Sequence, residues 1–128
     1  MNFYKFLFLF SILLTFDIIW FRIAHDGIYK KSLQKIRFKK ISLIPFILAY
    51  VIMAVSILWF HSLDLTNGPL KKAYLTGQFG FFIYFIFNAT LMAIVSPSKW
   101  YYSTSIIDTF YGTFLYFTVS LLFTTFFP

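Results

Sequence analysis

The chain has 128 residues, of which 60% are hydrophobic and only 12% charged, too few polar side chains to cover the outside of a soluble domain of this length. Lipid must therefore be its solvent, and the lack of cysteine excludes disulfides and thiolate-metal chemistry. The net charge of +7 does not mark a nucleic-acid surface, because it is concentrated in one short segment between apolar stretches.

Four apolar stretches, about 3–24, 41–63, 74–95 and 104–127, approach or exceed the ~20 residues that a helix needs to cross a bilayer core of about 30 Å. The expected fold is all-α: a polytopic membrane protein whose residues 1–128 form a single domain, one bundle of four transmembrane helices. The first stretch begins near Met1 in the manner of a signal peptide, yet it carries Asp17 and Arg22 and lacks an Ala-x-Ala cleavage site. It is read as a retained helix. An aspartate left in hydrocarbon costs several kcal/mol, so Asp17 should face the bundle interior.

The segment 25–40 separates the first two stretches. His25-Asp26-Gly27 can break the helix, after which Tyr29, Leu33 and Ile36 recur at i, i+4, i+7 opposite a basic face. This is the pattern of an amphipathic segment lying among headgroups, with Lys30, Lys31, Lys35, Arg37, Lys39 and Lys40 meeting anionic lipid. A solvated positive loop that only sets topology is the simpler alternative. Together with Arg22 and Lys99, these residues place eight of the eleven Lys and Arg on one side of a four-helix chain. The positive-inside rule then makes the first and third loops cytoplasmic and both termini external. Trp20 and Trp100 would belong to the cytoplasmic aromatic belt and Trp59 to the outer one.

The second stretch carries Pro45 in its first turns, where a missing N–H does least harm, and ends in a turn at Asn67-Gly68-Pro69. In the third, Gly77, Gly80, Tyr84, Asn88 and Leu91 share one face. Glycines let another backbone approach, and the tyrosine and asparagine need partners away from lipid, so this face should point inward. A Ser96–Ser98 turn leads to the fourth stretch, whose Asp108, Tyr111, Gly112 and Leu115 share a face in the same way.

With helix direction set by charge, Asp17 lies ~10 Å from the cytoplasmic end of its helix at about 1.5 Å per residue. Asn88 has a similar depth and Asp108 is somewhat shallower. Their convergence from three helices defines a candidate polar pocket of Asp17, Asn88, Asp108, Arg22, Tyr84 and Tyr111, in the cytoplasmic half of the bilayer. Arg22 is expected to pair with Asp108, since i, i+5 suits Asp17 poorly within one helix. The pocket could hold a proton, a cation or a lipid headgroup. It could equally be interhelical glue, in which a protonated aspartate donates to its neighbour.

The two His-Asp pairs, His25 with Asp26 and His61 with Asp64, fall on opposite sides of the membrane, and neither supplies the three or four ligands of a zinc site. Neither a metal nor a cofactor is expected. The same separation leaves no Ser-His-Asp set, and Asn88-Ala89-Thr90 is embedded in a helix where glycosylation cannot reach it.

Asp17-Ile18-Ile19-Trp20, Gly27–Lys31, Gly77–Thr90, Trp100 and Asp108–Thr113 resemble, in order and spacing, the "domain of unknown function 2177" family of predicted four-helix membrane proteins. That family's first helix looks like Asp-x-x-Trp and its last like Asp-x-x-Trp-Gly, where this chain has Tyr111 for the tryptophan. Its third helix commonly reads Tyr-Asp-x-Thr-Asn, against Phe87-Asn88-Ala89-Thr90-Leu91 here, so an acid has become an amide. The resemblance implies a four-helix fold and carries no assigned activity.

The reading that follows is a small, non-enzymatic membrane protein, binding or transport-like, with membrane lipid as partner and no nucleic acid. A lipid-modifying membrane enzyme and a structural or assembly protein are the alternatives. Four helices are too few to enclose a wide pore, so a channel would need an oligomer or a partner membrane protein.

Overall fold

The computed structural model describes residues 2–128. It consists of α1 (Phe3–Ala24), a π-helical turn (His25–Tyr29), α2 (Lys30–Lys35), α3 (Leu43–Ser62), α4 (Pro69–Val95) and α5 (Tyr102–Phe126). Among the described residues four helices are long and apolar enough to cross a membrane. Most of the apolar surface of α1, α3 and α4 faces outward, with Ile23, Ile44, Ile52, Ile86 and Ile94 all exposed, which is stable only where the surroundings are themselves apolar.

Helix ends follow local chemistry. Asn2 caps α1 by accepting from the Tyr4 N–H. Pro45 falls in the first turn of α3, where its absent N–H would have had no partner. The α4 helix begins at Pro69, five residues before the apolar run, because Gly68 takes a left-handed φ of 92° and proline at N1 is already set for the helix. Lys71 and Lys72 thus lie on the helix that hydropathy alone would start at Tyr74.

The α5 helix forms the centre of the bundle. It packs most closely on α4, while α3 leans chiefly on α1 and barely touches α4. The close pair is made by small residues: Gly77 and Gly80 on α4 face Phe117 and Tyr116, and Gly112 on α5 faces the ring of Tyr84. Leu9, Leu13, Ala54, Ile57, Leu115, Tyr116 and Val119 form the core between the helices.

The expected break at His25-Asp26-Gly27 does not occur. The chain stays helical through a π turn and continues as α2, whose Ser32 is fully buried and hydrogen-bonds Thr104 at 3.1 Å. Thr104 in turn donates to the Ile28 carbonyl. A single extra residue in the turn rotates the helix face, so Tyr29 enters the bundle while Lys30, Lys31, Lys35, Arg37, Lys39 and Lys40 remain exposed. The segment is therefore docked on the start of α5 rather than lying as a separate loop.

At the opposite end a polar chain links three helices. Thr76 donates to the Lys72 carbonyl and Ser120 donates to Thr76, which leaves the Ser120 oxygen to accept from His61 Nε2 at 2.7 Å. That sequence of donors fixes Nε2 as the protonated nitrogen.

Candidate functional site

Two carboxylates sit in the half of the bundle nearer the basic segment. Asp108 lies on the buried face of α5, and Trp100, whose indole can only donate, dictates the direction of the bond that Asp108 receives from Asn88. Trp100 Nε1 donates to Asn88 Oδ1 at 2.9 Å, so the asparagine must present its Nδ2, which donates to Asp108 Oδ2 at 2.7 Å. Trp20 Nε1 donates to the Tyr29 oxygen at 2.9 Å, and the Tyr29 hydroxyl donates to Asp108 Oδ1. Asp108 is thereby an acceptor on both oxygens.

Asp17, on α1, accepts from the Tyr50 hydroxyl of α3 at 2.6 Å and the Tyr111 hydroxyl of α5 at 2.7 Å. Trp20, one turn further along α1, stacks flat on Tyr111 with ring centroids 4.4 Å apart. It therefore joins the two carboxylate clusters, since its N–H serves Asp108 through Tyr29 while its face holds the phenol of Asp17. Acceptors held by several donors in a dry setting make stronger hydrogen bonds than the same pairs in water.

A cleft of about 440 Å³ opens beside this network, lined by Asp17, Asp108, Tyr29, Tyr50, Tyr84 and Tyr111 with Arg22 at its mouth. Asp17 and Asp108 both border it, and each carboxylate has acceptor capacity beyond the two hydrogen bonds it accepts. The Tyr84 hydroxyl pairs with no other described residue, although it borders the same space. The cleft thus offers carboxylate acceptors and one uncommitted phenol.

Of the residues singled out from sequence, Asn88 and Asp108 meet directly, Asp17 joins Tyr111, and Tyr84 lines the cleft between them. The expected Arg22–Asp108 pair is absent. Arg22 is exposed at the rim of the cleft and forms no ion pair among the described residues, because a long cationic side chain near a helix end reaches the interface more cheaply than the bundle interior. Trp100 is 5% exposed and holds Asn88, so it turns into the bundle rather than toward a belt, while Trp20 is half-buried with one face on Tyr111 and its N–H on Tyr29. Trp59 is exposed.

Sequence reasoning missed Trp20, Tyr29, Tyr50 and Trp100 as site residues. The one signal for the phenols was depth: Tyr50 lies about as far from its helix end as Asp17 does, ~10 Å, and a carboxylate at that level needs donors. No three His, Asp or Glu side chains converge on one point among the described residues.

Four apolar helices closed around a two-carboxylate network define a polytopic α-helical membrane protein. Residues 2–125 match the family described as "Predicted membrane protein (DUF2177)". The chain belongs to that family of membrane proteins of unknown function. No curated protein and no solved structure matches it.

Proposed function

We propose that the protein is a non-enzymatic membrane binding protein that holds a hydrogen-bond-donating ligand in the Asp17–Asp108 cleft. In the orientation the basic residues favour, this cleft lies in the cytoplasmic half of the bilayer, with the exposed Lys30–Lys40 residues against anionic headgroups. The observation that carries the reading is the mismatch inside the cleft: two carboxylates with spare lone pairs and one uncommitted phenol line an open volume of about 440 Å³. A ligand bringing donors satisfies the carboxylates, and Tyr84 serves its oxygen.

A structural role is the second reading, favoured by the fact that each carboxylate already accepts two internal hydrogen bonds. Native mass spectrometry of protein released directly from membranes separates the two. A retained small-molecule adduct that disappears in Tyr84→Phe, with thermal unfolding unchanged, supports binding. Bare protein, or an adduct indifferent to Tyr84→Phe, leaves the carboxylates as interhelical glue.

A further inference from the structure

The cleft does not end inside the bundle. A second cavity, of about 550 Å³, runs between α3 and α4 and shares Asp17, Phe46, Tyr50, Tyr84 and Phe87 with the first. It exists because α3 leans on α1 and leaves α4 almost untouched. Its further walls are the apolar side chains of Leu48, Ile52, Met53 and Ile83, and Leu48 and Ile52 are exposed to the surroundings. In a bilayer this opening faces lipid sideways.

The composite space has a chemical order along the membrane normal. At about 1.5 Å per residue from the basic ends of the helices, Arg22 lies ~3 Å deep, the carboxylates ~10 Å, and Met53 and Ile83 ~15–18 Å. A ligand entering from the bilayer therefore meets an unpaired guanidinium near the headgroups, then acceptor oxygens, then an apolar trough. Its own groups must follow the sequence anion, hydroxyl donor, hydrocarbon chain.

We propose that this composite site binds a monoacyl phospholipid, its phosphate at Arg22, its free glycerol hydroxyl donating to Asp17, the carboxylate that borders both cavities, and its single chain between α3 and α4. The inference rests on the binding reading above and assigns the ligand class. A diacyl phospholipid has both glycerol oxygens esterified at that depth, so acceptors would face acceptors and stay unpaired. A free fatty acid would carry its own carboxylate toward two others, a like-charge contact. An amine head group sits outside its phosphate, at the level of Arg22 rather than of the aspartates. Guanidinium suits the phosphate because its fork matches two phosphate oxygens.

The test uses the purified full chain in phosphatidylcholine nanodiscs with four probes: oleoyl lysophosphatidylglycerol, dioleoyl phosphatidylglycerol, glycerol 3-phosphate and inorganic phosphate. The lysolipid should bind at least about tenfold more tightly than any other probe, the effect of one or two well-made hydrogen bonds and a buried chain. Arg22→Gln, at an exposed and unpaired position, and Met53→Trp, which narrows the trough away from the carboxylates, should each weaken it by about tenfold. Equal binding of the diacyl lipid overturns the hydroxyl assignment. Equal binding of glycerol 3-phosphate or of phosphate alone overturns the trough while leaving the cleft a binding site. A native adduct lost in Tyr84→Phe but not displaced by the lysolipid overturns the ligand class and spares the broader reading; lysolipid binding indifferent to both Arg22→Gln and Met53→Trp removes it from this site.

Discussion

Replacing Gly80 by alanine tests how α4 and α5 meet. An added Cβ would lie 2.6 Å from Tyr116 Cβ and 2.8 Å from the Gly112 carbonyl oxygen. Neither atom can swing aside, since one belongs to the backbone and the other is bonded to it. Reaching ordinary contact requires the helices to separate by on the order of 1 Å, and overpacking of this kind costs about 1–3 kcal/mol. Alanine returns up to ~1 kcal/mol of helix propensity, so the expected net destabilisation is about 1–2 kcal/mol. Gly77→Ala is the internal control, because its Cβ would sit 3.1 Å from Phe117 Cβ and 3.4 Å from a backbone oxygen, a strain that the propensity gain offsets to within about 0.5 kcal/mol. Gly27→Ala meets nothing within 4 Å and should be neutral or slightly stabilising. Reversible unfolding in mixed micelles, followed by far-UV circular dichroism against the SDS mole fraction, ranks the three. A Gly80→Ala protein as stable as the native chain, or a Gly27→Ala protein less stable than Gly80→Ala, would refute the helix contact described above.

Three further expectations follow from the site. Asp108→Leu should cost about 1–3 kcal/mol in the same micelle titration, because an N–H of the buried Asn88 loses its acceptor, whereas Asp108→Asn should cost less, since its amide oxygen still accepts from Asn88 while its nitrogen donates to the Tyr29 oxygen; equal costs would contradict the hydrogen-bond direction assigned through Trp100. Trp20→Phe keeps a ring over Tyr111 but loses the N–H to Tyr29, and should cost about 1 kcal/mol, together with a change in the near-ultraviolet circular dichroism of the stacked pair. Single cysteines at the exposed positions Ser42 and Asn67 should react with an impermeant maleimide from opposite faces of sealed cells, Asn67 from outside; external labelling of Ser42 would move the cleft to the other leaflet.

Much of this fold follows from one-dimensional information, because a bilayer imposes a length and a solvent on every apolar run. Spans, the inward faces of α4 and α5, and the meeting of Asn88 with Asp108 all come from hydropathy and 3.6-residue periodicity, since polar groups and glycines in lipid have only one favourable direction. The glycines then set which pair packs closest. Periodicity says nothing about what lies across the bundle, and there the sequence was mute: Tyr29, Tyr50, Trp20 and Trp100 are amphipathic rings equally at home at an interface or in a core. Their roles were decided by tertiary structure, in which a π turn at His25–Tyr29 rotates one phenol inward and the lean of α3 onto α1 brings another to Asp17. Arg22 was misassigned for the related reason that a carboxylate in a bundle can be satisfied by neutral donors as well as by a cation. The sequence alone placed two acids within apolar helices in the same half of the bundle; which groups hold them, and that a gap between α3 and α4 opens beside them, depended on helix pairings that only the packed chain defines.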